Sequence, residues 1–183
     1  MSRIPAVDAA HAPAASKPLL DAVQQSLGLT PNLFKVAAHS PHTLEGLFGL
    51  NGSLSKGRLT AAERESIALT VAQINGCNYC LSAHTALGRG AGLSDSDIAD
   101  ARRATARNPK LAAILDFARM LVLDRGHAAD KDVAGLRAAG LDDAEILEVV
   151  GNTVLNILTN YINNAAATEI DFPLVEADFS AAA

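Results

Sequence analysis

Apolar stripes at helical spacing recur from Lys17 to Ala167, each fenced by a start or stop signal, and this punctuation limits what the chain can fold into. Leu19, Leu20, Val23 and Leu27 form the first stripe, ended by Gly28. Thr30-Pro31 is expected to open a short second helix, with Thr30 as N-cap and Pro31 at the first helical position. A third helix is expected from about His42 to Lys56. Thr60 and Glu63 form a capping-box pattern ahead of a helix that ends at Asn75-Gly76. The next begins at or near Cys77 and runs to about Gly88. Ser94 with Asp97, Asn108-Pro109, Asp130, and Asp142 or Asp143 mark further starts, the first of these a helix to about Thr105; Gly126 and Gly140 mark stops. No run alternates in the manner of a strand, and no Asn-Gly turn joins two such runs. The expected fold class is all-α, with a loose Ala- and Pro-rich arm over residues 1–15 and a single domain over 16–183.

Composition says how those helices pack. Hydrophobic residues make up 49% of the chain but aromatics only 4%, with no Trp. The core must therefore be Ala, Leu, Val and Ile, which lets helices approach closely. The last helix, expected over about Ala144–Ala167, carries Ile146, Leu147, Val150, Val154, Leu155, Ile157, Leu158 and Ile162. That apolar face exceeds what short flanking helices can cover, so a homo-oligomer is expected. The tail from Asp171, with Phe172-Pro173-Leu174-Val175, is expected to pack on a neighbour. A net charge of −5 argues against nucleic acid as a main partner. No apolar stretch reaches the roughly 18–20 residues of a membrane span. Met1-Ser2-Arg3-Ile4-Pro5 opens no signal-peptide run, and the expected location is cytoplasmic.

The only two cysteines sit three apart, in Gly76-Cys77-Asn78-Tyr79-Cys80-Leu81-Ser82-Ala83-His84. On a helix, Cys77, Cys80 and His84 share one face. A Cys-x-x-Cys pair at a helix start is where a thiol pKa falls, because free N–H groups and the helix dipole favour the thiolate. Glu65 lies on the preceding helix, and the Asn75-Gly76 break lets that helix fold back so that Glu65 approaches His84. A carboxylate orienting an imidazole that takes a thiol proton is a general way to activate a nucleophile. Two Cys, one His and one Glu also match a four-ligand zinc site, although a second Cys or His pair is missing. A thioredoxin-type site would follow a strand in a βαβ unit, and none is seen. His39, His42 and His127 fall on separate elements, at surfaces or caps.

The spacing Glu65-x11-Cys77-x2-Cys80-x3-His84 resembles the active-site signature of the alkylhydroperoxidase AhpD-like family, within the carboxymuconolactone decarboxylase superfamily. The runs Thr60–Glu65 and Asn75–Thr85 look like the family core, over about residues 45–125. The last helix, with Asn156, Thr159, Asn160, Tyr161 and Asn163, is similar to that of the peroxidase-related subgroup. The resemblance implies an all-helical homo-oligomer, commonly a trimer or hexamer, and thiol peroxidase chemistry without haem, flavin or metal. It implies that Cys80 attacks the peroxide, that Cys77 resolves the sulfenic acid as a Cys77–Cys80 disulfide, that His84 relays the Cys80 proton, and that Glu65 is the base behind His84. The best-studied branch has a second His where this chain has Tyr79, so Tyr79 is a candidate auxiliary residue that can donate a hydrogen bond but cannot titrate near neutrality.

The expected function is therefore reduction of organic hydroperoxides, with a peroxide as substrate and an external dithiol or disulfide reductant as partner. The alternatives are a disulfide-exchange adaptor or redox sensor, a carboxymuconolactone decarboxylase-like enzyme, and a zinc-binding helical protein.

Overall fold

The computed structural model describes residues 2–8 and 11–178. Among these residues there are nine helices and no strand: α1 Lys17–Leu27, α2 Asn32–Ala37, α3 Pro41–Leu54, α4 Ala61–Ile74, α5 Asn78–Gly90, α6 Asp95–Arg102, α7 Pro109–Leu123, α8 Asp130–Ala138 and α9 Asp143–Ala166. The starts follow the local signals. Thr60 accepts from the Glu63 amide while the Glu63 carboxylate accepts from the Thr60 amide, a reciprocal capping box. Ser94 with Asp97 and Asp142 with Glu145 repeat it at α6 and α9. Such caps contribute about 1 kcal/mol each. Gly28, Gly126 and Gly140 stand at positive φ beyond α1, α7 and α8, as their places in the sequence require.

Helix α4 forms the centre. Ser66, Ile67, Ala68, Leu69, Thr70, Val71, Ala72 and Gln73 are all buried, and a helix buried all round is a core element. It packs against α5, α6, α7 and α9. Its polar residues are satisfied locally or by a neighbour: Ser66 Oγ donates to Ala62 O, and Thr70 Oγ1 to Ala101 O. A smaller cluster of Leu20, Ala37, Ala38 and Leu44 joins α1, α2 and α3.

Three expectations are corrected. Pro31 is itself the N-cap residue of α2 and cannot accept with its side chain. The Asn32 amide instead donates to Asp171 Oδ2 at 2.8 Å, so the cap comes from the far end of the chain. Thr30 turns away and donates to Gln24. Helix α6 stops at Arg102 rather than near Thr105, because Ala104 takes a left-handed φ of 54°. The tail packs on its own chain: the Val175 amide donates to Ser82 Oγ and the Ala177 amide to Asn78 Oδ1, two residues one turn apart on α5. The broad apolar face of α9 is only partly covered within the chain. Leu147, Val154 and Tyr161 are 69%, 51% and 58% exposed, while Asn152, Asn156, Asn160 and Asn163 are buried.

Of the arm expected over 1–15, residues 1, 9 and 10 lie outside the described residues, as do residues 179–183 at the end of the expected domain. The amides of Arg3 and Ile4 donate to Ala166 O, covering the C-terminus of α9, and His39 Nε2 bonds to Pro5 O. No helix among the described residues is long and apolar enough to cross a membrane.

Candidate active site

One residue joins the two central helices. The Gly76 amide donates to Gln73 O and the Cys77 amide to Ala72 O, which closes α4 with the paired bonds of a Schellman motif; Gly76 has φ 61°. Cys77 is also the N-cap of α5, its Sγ accepting from the Cys80 amide at 3.2 Å. The Asn-Gly-Cys-x-x-Cys run therefore ends one helix and starts the next with no intervening loop, and both sulfurs are set at the N-terminal end of α5. Cys77 and Cys80 are 0% and 2% exposed.

The two thiols differ in character. Burial pushes the Cys80 thiol up, but four groups outweigh it: a hydrogen bond from Cys77, the positive charge of His84, and the carboxamides of Asn163 and Asn160. The result is a Cys80 pKa lowered to about 7. Asn163 Nδ2 donates to Cys80 Sγ at 3.3 Å. Cys77 is held far above the ordinary thiol range by its bond to Cys80, by burial and by the neighbouring Cys80 charge. These shifts favour the thiolate at Cys80 and the thiol at Cys77 near neutral pH.

His84 faces Glu65 directly, with Nδ1 2.8 Å from Oε2. Burial pushes the imidazole down; the Glu65 carboxylate, by charge and hydrogen bond, and the Cys80 charge push it up further, so its pKa is raised. The close passage of α4 and α5 past Gly88, one turn beyond His84, permits this contact. A Cβ there would stand 3.1 Å from Leu93 Cδ1 and 3.9 Å from Glu65 Cβ.

Cys77, Cys80, His84 and Glu65 thus come together as their spacing implied. Tyr79 is adjacent but anchored elsewhere: its hydroxyl accepts from the Leu33 amide at 3.1 Å and shares a hydrogen bond with Asp171. Burial first, and then Asp171, push its pKa above the ordinary tyrosine range. Phe172 of the tail stacks edge-on against its ring at 5.8 Å. Among the described residues no three His, Cys, Asp or Glu side chains are grouped as a metal cluster. His42 and His127 are exposed, away from the sulfurs.

A cavity of about 370 Å³ opens onto Cys80 and His84. Its walls are apolar, with Leu33, Phe34, Leu47, Phe48, Leu155 and Phe172 among them. Asn156 and Asn163 line it, with the fully buried Asn160 between them on α9, and none was assigned a role from the sequence. Asn156, Asn160 and Asn163 are spaced i, i+4 and i+7, a polar stripe in an otherwise apolar helix, and that pattern is the signal by which they are found.

The family model described as the carboxymuconolactone decarboxylase family matches residues 41–121. No curated protein matches the sequence. Among solved structures, the chain is similar to an uncharacterized peroxidase-related protein with an alkylhydroperoxidase AhpD core from Ralstonia eutropha JMP134, at TM-score 0.82 and 27% identity, over 93% of this chain and 92% of that one. It is similar to a peroxidase-related protein from Silicibacter sp. TM1040, at TM-score 0.78 and 26% identity, over 91% and 88%. The fold is also that of the debrominase Bmp8, solved with 2,3,4-tribromopyrrole, at TM-score 0.77 and 18% identity, over 92% and 91%. The matched core over residues 41–121, the shared helical frame and the cysteine helix make the chain similar to the AhpD-like, peroxidase-related proteins of the carboxymuconolactone decarboxylase superfamily.

Proposed function

We propose that the protein is a thiol peroxidase that reduces organic hydroperoxides. The observation that carries this reading is a single low-pKa sulfur, Cys80, at the base of an apolar cavity with a neutral thiol, Cys77, beside it. His84 holds the Cys80 proton as an imidazolium, and Glu65 stabilises that charge. The Cys80 thiolate attacks the terminal peroxide oxygen. An S–O bond forms, the O–O bond breaks, and the alkoxide takes the proton from His84. Cys77 then attacks the Cys80 sulfenic acid, the S–O bond breaks, and its proton leaves with hydroxide as water. An external dithiol small enough to enter the cavity reduces the disulfide.

Burial selects between the alternatives. A folded partner's disulfide cannot reach a sulfur that is 2% exposed, whereas a small peroxide reaches it through the cavity, which favours peroxidase over adaptor. Sharing a fold with a debrominase means that the frame alone does not choose the reaction. The sulfur pair supports peroxide reduction over lactone decarboxylation, for which a resolving thiol has no task. The exposed Leu147, Val154 and Tyr161 stripe on α9 supports a homo-oligomer.

Intact-mass analysis after brief exposure of reduced protein to cumene hydroperoxide, with alkylation of remaining thiols, tests the proposal. Loss of both thiols with a decrease of two hydrogens is expected. Thiols that stay alkylatable overturn it.

A further inference from the structure

Two buried carboxamide atoms close to Cys80 have no hydrogen-bond partner among the described residues: Asn160 Nδ2 and Asn163 Oδ1. Their residues are 0% and 3% exposed, and a buried amide atom left unpaired costs about 1–3 kcal/mol. Each carboxamide has one end already committed. Asn75 Nδ2 donates to Asn160 Oδ1 at 3.0 Å, which leaves the Asn160 nitrogen as the unpaired end. The backbone carbonyl of Asn75 accepts from Asn164 Nδ2 at 2.9 Å, which holds Asn75 against the same helix. Asn163 Nδ2 is committed to Cys80 Sγ at 3.3 Å, which leaves its oxygen unpaired. The unpaired atoms are thus one donor and one acceptor, on consecutive turns of the α9 face that carries Asn163 to the sulfur. The Asn160 carboxamide also favours the Cys80 thiolate, which sets its unpaired nitrogen near the same sulfur.

We infer that Asn160 and Asn163 form a receiving site for the oxygen atom transferred to Cys80, one carboxamide donating to that oxygen and the other accepting from its O–H. The inference rests on the peroxidase reading and assigns the atoms of its intermediate. In the transfer step the terminal oxygen keeps its hydrogen while the O–O bond breaks, so the product is Sγ–O–H. That group needs one donor and one acceptor, the two functions left unpaired in the reduced protein. The O–H held by Asn163 Oδ1 also keeps the sulfenic acid protonated. A second peroxide is attacked by the sulfenate, so holding the proton slows over-oxidation to the sulfinic acid until Cys77 condenses.

Cys77→Ser protein, which cannot form the disulfide, is oxidised with one equivalent of cumene hydroperoxide, and the single-oxygen adduct is followed by intact mass and dimedone trapping. A persistent sulfenic acid is expected. Adding Asn160→Ala, or separately Asn163→Ala, is expected to raise the rate of sulfinic acid formation by a second equivalent about tenfold, the effect of one buried hydrogen bond. Should either variant fail to fold, the side-chain amide resonances of nitrogen-labelled Cys77→Ser protein give the answer, with those of Asn160 and Asn163 shifting together on oxidation. Over-oxidation unchanged in the variants, or amide resonances that do not move, overturns the receiving site and leaves the peroxidase reading standing. Failure of the hydroperoxide to oxidise Cys80 in the unaltered protein overturns both.

Discussion

Glu65 Oε2 lies 2.8 Å from His84 Nδ1, a contact between the second turns of α4 and α5 across nineteen positions of sequence. It works in one direction: the carboxylate raises the imidazole pKa, and the resulting positive charge lowers that of Cys80. Glu65→Gln removes the charge but keeps an acceptor. Fewer imidazolium ions then form at neutral pH, the Cys80 thiolate loses its cation, and its pKa rises. Stopped-flow oxidation by cumene hydroperoxide at pH 7 is expected to slow by about 10²-fold, within the range for a positioned acid–base group. A rate within threefold of the unaltered protein counts against the relay.

The two sulfurs separate in a pH titration. With a pKa of about 7, Cys80 is thiolate above that pH and thiol below it. Alkylation by iodoacetamide is expected to be half-maximal near pH 7 and to fall about tenfold per unit on the acid side. Cys77, pushed up by Cys80 and by burial, is expected to remain unmodified through this range. Peptide mapping of the alkylated protein checks the assignment; label on Cys77 ahead of Cys80 reverses the roles.

The tail straps the cysteine helix. Arg102 donates to Glu176 O and Gln73 to Asp178 O, beside the clips from Asn78 and Ser82, and Phe172 supplies a wall of the cavity. Ending the chain at Ile170 removes all of these and the Asp171 cap of α2. At about 1 kcal/mol per hydrogen bond, the thermal midpoint is expected to fall by roughly 10–20 °C. Cys77 is expected to become alkylatable in the shortened protein, which mass analysis reads directly.

The outward stripe on α9 has a separate consequence. Leu147, Val154 and Tyr161 repeat every seven residues, a spacing that keeps one helix face toward a partner, and more than half of each side chain meets solvent in the single chain. Light scattering is expected to return a multiple of the 18.9 kDa chain mass. Leu147→Glu with Val154→Glu is expected to return the single-chain mass. A monomer before substitution removes the case for a homo-oligomer.

Much of this architecture was legible in the sequence because it is local. Capping boxes at Thr60, Ser94 and Asp142, and glycines at helix ends, act within four residues, so helix order and the all-α class follow without knowledge of packing. The joining of Glu65, Cys77, Cys80 and His84 was legible for the same reason, since one tight helix–helix junction at Asn75-Gly76 sets their relation. Where a residue's partner lies far along the chain, the sequence was silent. The Asp171 cap on Asn32, the Leu33 amide on Tyr79, and the Asn163 amide on Cys80 span 139, 46 and 83 positions. Helical periodicity places Asn156, Asn160 and Asn163 on one face, but which face turns inward is decided by what packs against it. On α9 the asparagine face turns toward the sulfurs and leaves part of the apolar face outside. Local hydrogen-bonding and conformational preference thus determined the helices and the position of the thiols, whereas burial against distant helices decided the thiolate's environment and the shape of its cavity.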